Sequence, residues 1–415
     1  MSNNRVHIIG GGINGLCSAW YLIKKGYHVT IIDGTDLSDG TSHGNAGMIV
    51  PSHFVPMPTP GVIKQGIKFL LDSKSPFYIR PRASWDLLQW IWGFLRSATP
   101  QKIKTGSKVL LDLNQESRDL YRKMALELPE TFHFEDKGLL MLFNTLAQEK
   151  EEKELADMAH DLGIEARMVD PLQLQKMEPT TLPTARGGLY FPGDAHLHPG
   201  QLMKILHSQL KKLGVEFLLG SNVLDFKMKG ARINEIVTQN HSIPANEIVL
   251  TSGIWSKQLA KKAGVHLVLQ DGKGYSFTVP NGPIGLQIPT ILSEAKVAIT
   301  PMGKELRIGG TLEISGITQG VNKKRVSGII GSIDKYYKRL PIAPDVKKSV
   351  WVGYRPLSFD GLPYVGKPKN VPNLTIATGH GMMGLSLGPI TGKLVSDIIA
   401  ENKIPFDLHP LRIDR

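Results

Sequence analysis

At 415 residues the chain is longer than one ordinary hydrophobic core accommodates, so two domains are expected. Its hydrophobic (41%) and charged (21%) fractions are those of a soluble globular protein. A single cysteine, Cys17, excludes an internal disulfide and fits a reducing compartment, and no apolar run reaches the ~18 residues of a membrane-spanning helix. The net charge of +12 leaves nucleic acid, an anionic membrane surface and an acidic substrate open as partners.

The first element is a β-branched run, Val6 to Ile9, expected as a buried strand. It runs into Gly10, Gly12 and Gly15 in G-x-G-x-x-G spacing, then an apolar-periodic helix that stops at Gly26. A second strand, Val29 to Ile32, ends on Asp33. In this context Gly10 permits the tight turn, Gly12 lets the backbone approach a pyrophosphate, and Gly15 lets helix and strand pack closely. The helix N-terminus offers unpaired N–H groups to phosphates, and Asp33, about 20 residues on, suits a ribose hydroxyl. The pattern points to a dinucleotide and does not choose between NAD and FAD. Cys17 lies inside this first helix, where a small buried apolar role is expected. No basic and apolar leader precedes the strand, so no signal peptide is expected.

Residues 34–51 form a loop of small residues that ends with Thr41 to Met48 and favours ligand contact. Pro51, Pro56, Pro58 and Pro60 mark an extended crossing between domains. Trp85 to Leu95 is apolar on nearly every face, holds three of the six tryptophans and is flanked by Arg80, Arg82, Arg96, Lys102, Lys104 and Lys108. Two readings stay open for it: a buried helix of the second domain, or an interfacial helix with indoles at headgroup level. Lys108 to Leu128 is helix-like, Gly138 to Phe143 strand-like, and 145–162 a charged, solvated helix. In the turn-rich stretch 187–200, His196 and His198 lack further ligands, so no metal site is expected. A helix from Pro199 to Leu213, β-like stretches at Val223–Phe226 and Ile233–Thr238, and a strand at Glu247 ending near Gly253 follow. Residues 265–350 alternate strand-like runs with Gly/Pro turns, the pattern of a mainly antiparallel sheet. A strand, a glycine-rich turn (His380 to Leu385) and an apolar helix close the chain.

Taken together, Gly10–Gly15, Thr41–Met48, Leu250–Ser256, Lys273–Thr278, Gly309–Glu313, Gly353–Pro356 and Thr378–Leu385 resemble the FAD-dependent D-amino-acid oxidase superfamily, most of all its bacterial D-amino-acid dehydrogenase (small subunit) branch. The resemblance covers essentially the whole chain, in order. It implies an α/β fold with a Rossmann-like FAD domain built from 1–55, 197–262 and 351–415. A second, α+β domain of mainly antiparallel sheet and helices, 56–196 and 263–350, would cover the flavin. It implies dinucleotide contacts at Gly10, Gly12, Ile13, Asn14, Gly15, Asp33 and Gly34. Flavin and ribityl contacts would fall at Thr41, Ser42, Ala46, Gly47, Met48, His380, Gly381, Met382, Met383, Gly384 and Leu385, with further cofactor contacts at Val223 and Gly253. Arg355, in Gly353–Pro356, would hold the substrate carboxylate by two parallel hydrogen bonds, with Tyr275 and His53 as further candidates for the site wall.

The implied reaction moves the α-carbon hydride of a D-amino acid, or of an imino acid such as a hydroxyproline, to flavin N5. The imino product hydrolyses to a 2-oxo acid and ammonia. No protein general base is nominated. Cys17 sits on the wrong segment for a cysteinyl flavin, so non-covalent FAD is expected, while a histidyl link stays open. Electrons would pass to a quinone or another acceptor, at the inner face of the membrane or in the cytoplasm. Three alternatives remain: a soluble glycine, sarcosine or D-amino-acid oxidase using O2; an RNA-modifying flavoprotein, disfavoured because no dense basic run is interleaved with aromatics; and an electron-relay subunit of a hetero-oligomer.

Overall fold

A computed structural model describes residues 4–69, 75–280, 285–318, 320–340, 342, 346 and 349–415. The remaining positions of the expected ranges, such as 1–3 and 281–284, lie outside the described residues.

Two sheets organise the chain. The first has six strands, in the order Tyr364–Gly366, Leu374–Thr378, Glu247–Leu250, Arg5–Ile9, His28–Ile32, Glu216–Leu218. All neighbours are parallel except the outer Tyr364–Gly366 strand. Ile9 aligns with Ile32 on one side and Leu250 on the other. The three chain segments that leave these strands, at Gly10, Asp33 and Thr251, therefore emerge at one edge, where the strand order reverses. In open α/β sheets that switch point is where ligands bind.

β-Branched, fully buried strands place an apolar layer on each face of this sheet. On one face Val6, Ile8 and Val29 pack against Leu16, Ala19, Leu206 and Val395. On the other, Ile9, Ile32 and Leu250 meet Phe226, Leu267 and Ile376. The first helix, Ile13–Lys24, and the last, Gly388–Ile399, approach so closely that a Cβ at Gly392 would lie 2.4 Å from the Cys17 carbonyl carbon. Cys17 is fully buried there, and burial pushes its thiol well above the ordinary range.

The second sheet has nine strands. Its main path runs Trp351–Ser358, Leu269–Pro280, Glu305–Ile314, Val297–Met302, Thr290–Leu292, Leu139–Phe143, Gly187–Phe191, Arg167–Val169, and Phe77–Ile79 pairs with Glu305–Ile314. It is mainly antiparallel, with parallel pairs only at Thr290–Leu292 with Leu139–Phe143 and at Phe77–Ile79. Strand alternation divides its faces. Phe277, Val279 and Ile308 enter a core with Val326, Ile329 and Ile333 of the Lys323–Ile333 helix. Ser276, Thr278, Arg307 and Gly309 take the opposite face.

Two segments depart from the expected division. Trp351–Ser358, grouped by sequence with 351–415, is an edge strand of the second sheet, because it pairs residue by residue with Leu269–Ser276. The helix Pro100–Glu127, grouped with 56–196, contributes Tyr121 and Met124 to the core under the first sheet. Tyr121 Oη also donates to Leu385 O at 2.7 Å. The helix Trp85–Ser97 is buried along one side and exposed along the other. Leu87 and Trp90 are buried, Trp90 Nε1 donates to Leu357 O, and Trp85, Leu88, Trp92 and Leu95 are exposed. Among the described residues, no helix is long and apolar enough to cross a membrane.

Candidate functional site

One cavity of about 1090 Å³ lies between the two sheets, at the switch point. It exceeds the few hundred to ~1,000 Å³ typical of small-molecule pockets, as a dinucleotide with a second small ligand requires.

The dinucleotide end is built by the glycine turn. Gly10 has φ +107°, and a Cβ on it would come within 2.8 Å of the Thr251 and Ser252 backbone. Gly15 does not line the cavity; its Cβ would lie 2.0 Å from Gly10 O, so it fits only as the close helix–strand contact. The Ile13–Lys24 helix begins without a capping side chain from Gly12 and without an acid in its first turn. Ser42 Oγ accepts from Ile13 N at 3.0 Å. Asp33 Oδ2 accepts from Gly11 N at 2.7 Å, and Oδ1 accepts from Thr35 N at 2.8 Å. The carboxylate is thereby fixed at the cavity edge with lone pairs to spare. Gly34, Val223 and Gly253 also line this end.

The middle of the cavity is lined by Thr41, Ser42, Ala46, Met48 and the whole turn from His380 to Leu385. Gly47 stands behind this lining, its Cβ position 2.3 Å from Leu197 O. His380 is buried and held in one orientation: Asn14 Nδ2 lies 3.1 Å from its Nδ1, and Thr391 Oγ1 lies 2.9 Å from its Nε2. Burial depresses the imidazole to about 3, so it is neutral. Asn14 Oδ1 is buried without a partner among the described residues. A cradle of glycines, a helix N-terminus with no capping side chain of its own and an unsatisfied buried acceptor are the features a bound dinucleotide would complete.

The loop from Asp39 to Gly47 is clipped to the second sheet by contacts that sequence reasoning missed. Arg307 Nη1 donates to His43 O at 2.9 Å and to Asn45 O at 3.1 Å. Ser276 Oγ donates to Gly44 O, and Trp351 Nε1 to Asp39 Oδ1. The only sequence signal was the alternation that turns these side chains to one face.

At the other end sits Arg355. Its side chain is half-buried on the cavity wall, and the burial it does have lowers the guanidinium to about 10. Nη1 donates to Thr311 O at 2.9 Å, its one hydrogen bond among the described residues. Gly274 makes the room, since a Cβ there would lie 2.2 Å from Nη1. Thr311 adopts φ +70°, a costly conformation for a β-branched residue, and lines the cavity. A backbone bridge between Leu357 and His380 ties the arginine's strand to the central turn.

The other wall candidates divide. His53 lines the cavity and is neutral, depressed to about 4 by burial and then by Lys296. Tyr275 reaches the lining, but its ring packs in the core with Phe277 and Ile308, and its Oη accepts from Asn322 N at 3.1 Å. That side chain is committed to structure. His198 accepts from Gln201 N as a helix cap, and His196 is buried in a two-residue strand.

A family model described as FAD dependent oxidoreductase (DAO) matches residues 5–398. A D-amino acid dehydrogenase of Bradyrhizobium diazoefficiens is 31% identical over 99% of this chain and 98% of its own length. Among solved structures, glycine oxidase from Geobacillus kaustophilus superposes with a TM-score of 0.78 at 23% identity, covering 100% of this chain and 99% of that one. L-proline dehydrogenase from P. horikoshii gives 0.77 at 17% identity over 99% and 96% of the two chains. These two likenesses establish the shared fold.

Proposed function

The chain belongs to the DAO family of FAD-dependent oxidoreductases, and from that premise we propose that it oxidises the α-carbon–nitrogen bond of a D-amino acid or a related imino acid. FAD, when bound, supplies the two-electron acceptor for this oxidation. The glycine turn, Asp33, Asn14 and the Ser42–Met48 and His380–Leu385 segments would hold it.

The observation that carries the substrate class is Arg355. A half-buried guanidinium on the cavity wall spends one N–H on Thr311 O and keeps its remaining donors, in a planar fork, for a ligand. A carboxylate satisfies such a fork with two parallel charge-assisted bonds. An α-amino acid anchored in this way has its α-carbon a fixed short distance from the anchor, which is what orientation in a redox site requires.

The outer face of Trp85–Ser97 supports transfer of the electrons to a quinone or other acceptor at a membrane surface. Trp85 is 72% exposed, Trp92 62%, Leu88 56% and Leu95 50%, all on one side of the helix. Arg96 stacks over Trp92, and Arg80, Lys102 and Lys104 are exposed nearby. Indoles with adjacent cations are the composition of a headgroup-level helix.

Anaerobic mixing of the purified holoprotein with D- and L-amino acids, glycine, sarcosine and hydroxyprolines tests the proposal through loss of flavin absorbance. Bleaching by a D-amino or imino acid, with slow recovery in air, supports a dehydrogenase. Fast recovery with peroxide assigns an oxidase instead. No bleaching by any of them overturns amino-acid oxidation.

A further inference from the structure

At the wall of the cavity, three side chains form a hydrogen-bonded line into the protein. His53 faces the cavity. Its Nδ1 lies 3.1 Å from Ser52 Oγ. Ser52 Oγ makes a short hydrogen bond to Asp194 Oδ2, and Ser52 N donates to Asp194 Oδ1 at 3.0 Å. Ser52 and Asp194 are almost wholly buried, at 2% and 1% exposure. A hydroxyl has one proton to give. An ionised Asp194 accepts that proton's hydrogen bond, so Ser52 Oγ in turn accepts from His53 Nδ1–H. The tautomer is then set, and His53 Nε2 is left as a bare acceptor on the cavity side.

We propose that His53, Ser52 and Asp194 form a proton relay that takes the ammonium proton of the bound amino acid before its α-carbon is oxidised. The proposal rests on the amino-acid reading above. An amine must shed its extra proton before its nitrogen lone pair can assist loss of hydride from the neighbouring carbon. In the relay, the substrate N–H proton passes to His53 Nε2, the His53 Nδ1 proton passes to Ser52 Oγ, and the Ser52 proton passes to an Asp194 oxygen. The imidazole ends neutral in its other tautomer, the serine ends unchanged, and Asp194 ends as a carboxylic acid. No electrons move, and charge balances as the loss of one ammonium and one carboxylate.

The surroundings favour this direction. Lys296 also lines the cavity and stands against His53, which discourages a lasting imidazolium there. Burial raises Asp194 to about 7, so above neutrality it is ionised and ready to accept, and it takes a proton more readily than an ordinary carboxylate. The charged and titratable groups facing Asp194 are Arg118, which moderates that rise, and Tyr190. The run Gly309–Leu312 joins the two ends of the site. The carbonyl of Lys296 lies 3.3 Å from a Cβ position at Gly310, and the next residue, Thr311, holds Arg355.

The relay is tested with holoenzyme variants Ser52→Ala, Asp194→Asn and His53→Gln, using the amino acid that bleaches the wild-type flavin fastest. Each variant should lose about 10²-fold in kcat/KM at pH 7, the scale of one positioned proton transfer. Each should converge on wild type at high pH, where the substrate amine arrives already neutral. As a readout independent of turnover, the 15N shifts of His53 should show a protonated Nδ1 and a bare Nε2 in wild type, and lose that single tautomer in Ser52→Ala. Activities parallel to wild type at every pH, or an Nε2–H tautomer in wild type, overturn the relay alone. A wild-type flavin that no amino acid reduces overturns the reading of function and the relay with it.

Discussion

At one end of the cavity, three glycines and an acid drawn from residues 10–33 make a turn, a helix start and a carboxylate that function as one local unit. At the other end, His53, Asp194, Lys296, Thr311 and Arg355 come from five separate stretches of chain and meet only through the second sheet and its loops. The first end stores its geometry in glycine, where positive φ costs little. The second stores part of it in strained non-glycine residues, Lys296 at φ +51° and Thr311 at φ +70°. The cofactor end therefore follows from local stereochemistry. The substrate end depends on tertiary structure that overrides local preference, a common arrangement where specificity must be built.

This contrast is sharpest in what each end loses on mutation. Gly15→Ala forces a Cβ to 2.0 Å from the Gly10 carbonyl oxygen, so the turn has to open. The variant is expected to purify without FAD, read as the ratio of flavin to protein absorbance. Arg355→Lys leaves the cofactor end untouched and should keep full flavin content. It replaces a fork with a point charge, and kcat/KM for the amino acid should fall about 10²-fold, mostly through KM.

Asp194→Asn probes the second end through stability. Burial raises the folded-state carboxyl from 3.8 to about 7, so the native protein binds more protons than the unfolded chain between those values. Stability from this group is full below about pH 4 and is lost as pH rises through about 7. Denaturant titrations at pH 5 and pH 8 should show a wild-type loss of about 2 kcal/mol that Asp194→Asn lacks. An equal pH dependence in both proteins would remove Asp194 as the cause. The smallest effect is expected where the two ends are joined. Arg307→Ala removes the bonds to His43 O and Asn45 O and should weaken FAD binding about tenfold, measured by flavin fluorescence titration.

The same contrast explains what could be read from the chain alone. Gly10, Gly12, Asp33 and the His380–Leu385 turn were legible because strand, turn and helix signals stand next to one another in sequence. The place of Arg355 on the cavity wall followed from the family resemblance that Gly353–Pro356 carries. Asp194 was not legible: it sits in a turn-rich stretch beside His196 and His198, and nothing local shows that this turn folds onto Ser52. Arg307 and Trp351 were missed for a related reason, since period-2 alternation shows which residues share a face but not what that face meets. Tyr275 falls between the two, since it reaches the cavity lining while its ring packs in the core.

The measurement closest to the central claim compares anaerobic flavin bleaching by the fastest D-amino acid with bleaching by the same compound carrying a carboxamide in place of the carboxylate. If one cavity holds FAD at the glycine end and anchors a carboxylate on Arg355 at the other, the acid should bleach the flavin at least about 10²-fold more efficiently than the amide. Arg355→Lys should narrow that gap. Equal bleaching by acid and amide would contradict the anchor, and bleaching by neither would contradict amino-acid oxidation at this site.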